Sequence, residues 1–489
     1  MNLKTILNIL SALLVLTGLS MAIPALVSWG YGESDLNGFI KSMALCVFVG
    51  LPIWAFTRKN RSLNNKDGFV IVTLAWLLVA LAGALPFYFT GAIPNLTDAW
   101  FESMSGVTTT GATIIGNVNT LPNLPNGVES LPHGVLFWRS FIQWIGGMGI
   151  IVFTIAILPL LGVGGVQLFK AEVPGPVADK IRPRVKETAK ILWLVYIGFT
   201  VLQFLLLGLN GMPWFDSICH AFTTMPSGGF STQNASIAAY ENPAIHYIII
   251  LFMFITGVNF GLHFRALTGK IGSYFKDSEF LTYFGIVAFA TSFIFINISF
   301  NMGSWTHDNF LGALFQSVSI LTTTGFGSAD YELWPFFSQY ILFILMFLGA
   351  MGGSTSGGLK LSRIILLFKY LATETRRMLH SRAIIPIRIG NRFIGDDIIR
   401  NTLGFFLFYI SIFIFTTIIL SSLELDFQSA IGAAASAIGN IGPAMGQFGP
   451  TDNYALLHPF GKWLLTFCML LGRLEIFTIM VLFSRTFWK

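Results

Sequence analysis

Charge is what this sequence has least of. Asp, Glu, Lys and Arg make up 11% of its 489 residues, whereas a soluble domain carries about 25%. A water-facing surface cannot be built from that material, and with 54% hydrophobic residues the chain reads as an integral membrane protein. Cysteine is equally scarce: Cys46, Cys219 and Cys468, far apart, make neither a disulfide framework nor a zinc site. No Walker motif, no G-x-G-x-x-G opening a soluble βαβ unit and no zinc-ligand spacing occurs, so nucleotide handling belongs on another chain. The first apolar run, 6–27, is longer than the core of a signal peptide, and no convincing A-x-A site follows it. It reads as a retained transmembrane helix, with a cleaved signal as the other reading.

What is present is a succession of long apolar runs. A helix needs about twenty such residues to cross a bilayer. That measure predicts ten spans, near 6–27, 39–57, 69–90, 134–165, 191–210, 244–264, 281–300, 336–371, 402–422 and 460–484. The runs 134–165 and 336–371 exceed one crossing, so they must tilt, kink or project. The formal net charge of +6 is laid out asymmetrically. Arg58, Lys59, Arg61 and Lys66 follow the second span, and Lys170, Lys180, Arg182, Arg184, Lys186 and Lys190 the fourth. Arg265, Lys270 and Lys276 follow the sixth; Lys369, Arg376, Arg377, Arg382, Arg388, Arg392 and Arg400 follow the eighth. The other side holds only Lys41, Arg139 and Lys462, all near helix starts. Basic loops stay in the cytoplasm, which places both termini there.

After two spans the chain repeats one unit four times: span, short apolar segment, polar glycine loop, span. The loops are TTTGAT (108–113), SGGFST (227–232), TTTGFG (322–327) and GNIGPA (439–444), all on the side opposite the basic loops. Each short segment begins near an Asp (Asp98, Asp216, Asp308, Asp426) placed to cap a helix. Re-entrant backbone of this kind is tolerated at membrane depth only when buried in protein or lining an aqueous path. The expected fold is therefore an all-α polytopic membrane protein. Two N-terminal transmembrane helices (1–66) precede four tandem helix–pore loop–helix repeats around a central pore: 67–185, 186–276, 277–392 and 393–489. The second span of each unit carries an interior motif: IGGMG (145–149), TGVNF (256–260), GAMGGSTSGG (349–358) and LGRLE (471–475). Close helix packing accounts for the glycines of the first two. The run GGSTSGGLK is too poor a helix former for that, and the third repeat's second helix is expected to break there.

Short helices pointing their C-termini at one axis concentrate partial negative charge, which favours a cation. Glycine and threonine loops can turn backbone carbonyls to that axis and replace an ion's hydration shell. The loops contain no carboxylate, which a Ca²⁺ or Mg²⁺ path would be expected to offer. Neutral carbonyls suit a monovalent cation that dehydrates readily, K⁺.

These four loops, the GGSTSGGLK break and LLGRLEIFT (470–478) resemble the Trk/Ktr/HKT superfamily of cation transporters, nearly end to end. The two extra N-terminal spans fit the TrkH branch better than the shorter KtrB branch. The resemblance implies a filter of carbonyls around Thr109, Thr110 and Gly111; Gly228 and Gly229; Thr323, Thr324 and Gly325; and Asn440, Ile441 and Gly442. It implies an intramembrane gating loop over Gly352, Gly353, Ser354, Thr355, Ser356, Gly357 and Gly358, and identifies Arg473 as the family's membrane arginine. It further implies K⁺ as the transported ion, the bacterial inner membrane as location, a homodimer, and a TrkA-like cytosolic nucleotide-binding ring as regulatory partner. Loops two and four lack the threonine pair of loops one and three, so the filter is expected to be asymmetric, and Rb⁺ or Cs⁺ to be candidates for passage as well.

An ionised residue in mid-span is costly and functional by default. Arg473 is accordingly expected to hold carbonyls of the 352–358 loop and to add a positive barrier beneath the filter, with a structural salt bridge as the other reading. Glu475 is not its partner, because i,i+2 residues do not share a helix face. Lys360 either serves the same closed state or snorkels to the interface. His220, Cys219 and His263 read as packing residues. The basic run 180–190 sets topology, with docking of a regulatory ring or anionic lipid as an addition. No nucleic-acid partner is indicated. A carrier of alternating access, coupled to H⁺ or Na⁺, shares the broken helix but predicts inverted repeats, whereas these loops all face one way. An intramembrane enzyme would need a convergent nucleophile and base or paired carboxylates, and ranks far behind.

Overall fold

The computed structural model describes residues 1–57, 65–116, 124, 126–152, 185–380, 385–389 and 392–488. Arg58, Lys59, Arg61, Lys170, Lys180, Arg182, Arg184, Arg382 and the second half of the 134–165 run lie outside the described residues. Long apolar helices dominate. Among the described residues six are long and apolar enough to cross a membrane, and up to eight if each of two bent pairs counts as one. The six include Leu36–Thr57, Ser278–Met302 and Asp396–Ser422; the first, Leu3–Tyr31, passes through a break at Met21. The bent pairs are Pro243–Thr256 with Phe260–Leu267, at 104°, and Pro459–Arg473 with Phe477–Phe483, at 107°. Of the two long runs, 134–165 is described as the helix His133–Val152. The run 336–371 is interrupted: one helix ends at Phe347, the next begins at Leu361, and an irregular segment lies between.

Four short helices separate these spans: Leu96–Val107, Trp214–Thr224, His307–Leu321 and Phe427–Gly439. At about 1.5 Å per residue none reaches across the roughly 30 Å hydrocarbon layer. Their C-terminal halves are enclosed by protein: every residue from Ala99 to Val107 and from Phe315 to Leu321 is buried. Such enclosure is what unpaired backbone at membrane depth requires. Two large cores form around them, one holding Phe101, Trp138 and Ile142, the other Tyr283, Phe315 and Leu342. Phenylalanines such as Phe48, Phe56, Phe289 and Phe300 are exposed on the outer faces of long helices, where lipid would cover them.

Two details of the expected architecture change: the runs 244–264 and 460–484 bend sharply where unbroken spans were expected, and the helix caps differ. Only Asp426 caps its helix, accepting the Ser429 N–H. The first and third short helices are capped one position outside the helix by Asn95 and Thr306, which have the extended backbone a cap requires. Asp98, Asp216 and Asp308 instead sit in the first turn. Two of them take tertiary partners: Lys462 donates to Asp98 at 2.6 Å, and Thr232 and Tyr240 donate to Asp216 at 2.8 and 2.9 Å.

Candidate functional site

The four short helices end in the four glycine loops, and the loops share one backbone conformation. Thr109, Ser227, Thr323 and Asn440 all have positive φ, between 52° and 59°. Two residues on, Gly111, Gly229, Gly325 and Gly442 are again left-handed, at 85°, 76°, 79° and 104°. Hydrogen bonding repeats as well. The N–H groups of Thr110, Gly228, Thr324 and Ile441 reach back to the carbonyls of Ser105, Thr223, Ser319 and Ser436, at 2.8 to 3.0 Å. Loops of different sequence thus have the same geometry, with Thr110, Gly228, Thr324 and Ile441 as equivalent positions.

Those four carbonyls close a ring. A Cβ placed on Gly111 would lie 2.2 Å from the Gly228 carbonyl oxygen, and one on Gly229 would lie 2.0 Å from that of Thr324. A Cβ on Gly325 would lie 1.9 Å from the Ile441 oxygen, and one on Gly442, 2.7 Å from the Thr110 oxygen. The contacts run from loop one to two, three, four and back to one. Only glycine permits both the close approach and the left-handed backbone. All eleven residues expected at the filter come together here, and those other than the loop glycines are fully enclosed or nearly so. A small cavity of about 80 Å³ opens onto Gly111, Gly229, Gly325 and Gly442.

Directly against the ring lies the irregular segment between Phe347 and Leu361. The Gly357 N–H donates to Thr323 Oγ1 at 2.6 Å, and the Thr355 hydroxyl lies 3.1 Å from that of Ser227. A Cβ on Gly357 would meet the Gly439 carbonyl at 2.3 Å and Asn440 at 2.9 Å. The segment therefore touches loops two, three and four on their first left-handed residues. Arg473, the last residue of its helix, donates from Nη1 to the Thr355 carbonyl at 2.7 Å. Lys360 Nζ bonds the Ser356 carbonyl and lies 3.2 Å from its hydroxyl, inside the same segment. Beyond Arg473 the chain turns sharply through Glu475 and Ile476, both at positive φ, 55° and 44°. A β-branched residue there is strained.

Several contacts escaped the sequence. Glu279, at the start of a long helix, accepts the N–H groups of Gly352 (2.8 Å) and Ser362 (3.0 Å), tying the two ends of the segment together. Asn259 of TGVNF donates to the Gly352 carbonyl at 2.8 Å. Glu475 pairs with Arg363 rather than with Arg473. Beside the first loop, Arg139 and Glu102 form a buried ion pair at 2.6 Å; Glu102 also accepts from the Thr113 hydroxyl and the Ile114 N–H. Charged residues inside apolar segments were the available signal, but their pairing was not. His220 bonds the Asp216 carbonyl and Ser231, and His263 bonds the Ile255 carbonyl and Tyr274. On the same side as the glycine loops, Glu332 accepts the Gly446 N–H, joining the third and fourth loop regions. Burial pushes its carboxyl up to about 6, and Asp330, Asp452 and Asp426 add to that.

Apolar spanning helices around a protein-enclosed ring of backbone carbonyls define a polytopic membrane protein with a polar centre built from main chain. Its sequence places it more narrowly. Residues 35–489 match the family model described as TrkH, cation transport protein, and the chain belongs to that family. It is 41% identical over 498 residues to the Trk system potassium uptake protein TrkH of Salmonella typhimurium, covering all of both chains. To TrkG of Escherichia coli, also a Trk system potassium uptake protein, it is 33% identical over 494 residues, covering 100% of this chain and 99% of the relative. The crystal structure of the potassium transporter TrkH from Vibrio parahaemolyticus superposes with a TM-score of 0.90 at 37% identity, covering all of both chains.

Proposed function

We propose that this chain takes up K⁺ across the bacterial inner membrane, as a pore with a carbonyl filter. The observation that carries the reading is the closed cycle of four glycine–carbonyl contacts. Carbonyl dipoles arranged around one axis replace the hydration shell of a monovalent cation. The filter comprises Thr109–Gly111, Gly228–Gly229, Thr323–Gly325 and Asn440–Gly442; the repeats divide at 66/67, 185/186, 276/277 and 392/393. The relatives named as potassium uptake proteins support K⁺ as the cargo.

Gly352–Gly358 is the gate. Pressed against three of the four loops, it obstructs the path just inside the filter, and Arg473 and Lys360 hold it there through the Thr355 and Ser356 carbonyls. Opening requires those bonds to break. A TrkA-like nucleotide-binding ring on the cytoplasmic face supplies the work, and the protein functions as a homodimer with both termini cytoplasmic.

Radioactive Rb⁺ uptake into proteoliposomes of the chain alone, with Na⁺ and pH gradients imposed separately, tests the reading. Passive flux that follows the Rb⁺ gradient supports a pore. Flux that saturates like a carrier and requires a coupled Na⁺ or H⁺ gradient supports alternating access instead.

A further inference from the structure

The four ring positions are braced differently. In loop one the Thr110 hydroxyl lies 2.8 Å from that of Thr108, and in loop three Thr324 makes the same contact with Thr322. In loop four Asn440 Nδ2 donates to Thr110 Oγ1 at 3.0 Å and to the Met469 carbonyl at 2.8 Å. Loop two has Pro226 and Gly228 at the threonine positions, so neither position carries a hydroxyl. Its brace comes from outside the loop. Gln143, fully buried on the helix His133–Val152, donates from Nε2 to the Gly228 carbonyl at 2.7 Å, and its Oε1 accepts the Phe230 N–H at 3.3 Å. A Cβ on Gly228 would lie 2.4 Å from Gln143 Oε1. The glycine and the glutamine thus fill one space between them, the space a threonine side chain takes in loops one and three.

Arg139 stands one helical turn before Gln143 on the same face. Its Nη1 donates to the Ser231 carbonyl at 2.8 Å, and its guanidinium stacks 3.8 Å from the Phe230 ring. One helix face therefore grips the second loop at residues 228, 230 and 231. Among the described residues no side chain donates to the carbonyls of Thr110, Thr324 or Ile441. The ring is three carbonyls plus one that already accepts an amide hydrogen bond.

Building on the filter reading, we propose that Gln143 is a positioning residue that determines selectivity: it stands in for the missing threonine and fixes how strongly the Gly228 carbonyl coordinates a cation. Without this partner the glycine peptide keeps only the long bond from the Gly229 N–H to the Thr223 carbonyl, at 3.4 Å, and can rotate away from the axis more freely. A ring that loses one fixed carbonyl tolerates a smaller, more strongly hydrated ion.

The experiment compares Rb⁺ and Na⁺ fluxes in proteoliposomes of the wild-type chain, Gln143→Met, Gln143→Glu and the double variant Gln143→Ala/Gly228→Thr, with Gly325→Ala as a filter control. Methionine keeps the volume of glutamine but neither donates nor accepts as an amide does. A purely structural role would lower both fluxes together, whereas selectivity control moves their ratio. The expected result is a Rb⁺/Na⁺ ratio reduced about tenfold in Gln143→Met, the scale of one net hydrogen bond, and regained in the double variant. A Gln143→Met ratio within twofold of wild type overturns the proposal; if that variant does not fold, Gln143→Glu is held to the same criterion. A wild-type chain that does not discriminate between the ions, or a Gly325→Ala variant that keeps the ratio, would refute the filter reading itself.

Discussion

If Gly352–Gly358 is the gate proposed above, removing the side chain of Arg473 should open the pore at rest. Its guanidinium makes one hydrogen bond to the intramembrane segment, from Nη1 to the Thr355 carbonyl at 2.7 Å, and Nε and Nη2 have no partner among the described residues. A charge-assisted hydrogen bond contributes about 1.5–3 kcal/mol. Removing a buried charge also relieves a desolvation penalty, which offsets part of that loss in the closed state. A net shift of about 1.4 kcal/mol corresponds to about a tenfold change in the closed-to-open ratio. Loss of the positive charge beneath the ring acts in the same direction by lowering the barrier to cations. Arg473→Ala should therefore raise Rb⁺ uptake into proteoliposomes lacking the regulatory ring by about tenfold. Arg473→Gln, which keeps a donor without the charge, should fall between wild type and Arg473→Ala. Resting flux in Arg473→Ala within twofold of wild type, from protein folded to the same extent, would refute the latch.

Three further outcomes follow from the geometry. Gly325→Ala puts a methyl 1.9 Å from the Ile441 carbonyl at a φ of 79°, so the ring must open and Rb⁺/Na⁺ discrimination should fall. Discrimination equal to wild type would contradict the close approach. Glu475→Gln leaves Arg363 buried without its ionic partner, which costs about 3–5 kcal/mol for a buried pair. A marked loss of Tm in detergent should result, and Arg363→Met/Glu475→Leu should recover much of it; an unchanged Tm in Glu475→Gln would show the pair to be dispensable. Glu332 has a folded pKa raised to about 6 against an ordinary 4.5, so its contribution to stability is fully present below 4.5 and is lost as pH rises through 6. Tm should rise on acidification across that window, and Glu332→Gln should flatten the slope; an equal slope in the variant removes Glu332 as its source.

Much of the centre was readable because its constraints are local. A glycine that must be left-handed, and whose neighbour's oxygen occupies the place of its Cβ, is the same requirement in all four loops, so TTTGAT, SGGFST, TTTGFG and GNIGPA stand out despite their differences. The interruption at 352–358 was readable for a similar reason, since four glycines and three hydroxyls cannot sustain a helix. Pairings over long separations were not. Arg363 meets Glu475 across 112 residues and Arg139 meets Glu102 across 37, and nothing in local pattern specifies which charge answers which. Gln143 carries no sequence signal at all, because its significance depends on a glycine 85 residues away. Three of the four capping aspartates were misplaced, by two or three residues: Asp resembles a cap wherever a helix begins, but Asn95 and Thr306 hold the extended position.

The central claim is that a cation sits within the ring formed by the carbonyls of Thr110, Gly228, Thr324 and Ile441. Anomalous diffraction from crystals grown in Rb⁺ measures this directly. The account predicts a peak on the axis of the four loops, within coordinating distance of those oxygens, that disappears in Gly325→Ala. A well-ordered ring without such a peak, with Rb⁺ bound elsewhere among the spans, would contradict it.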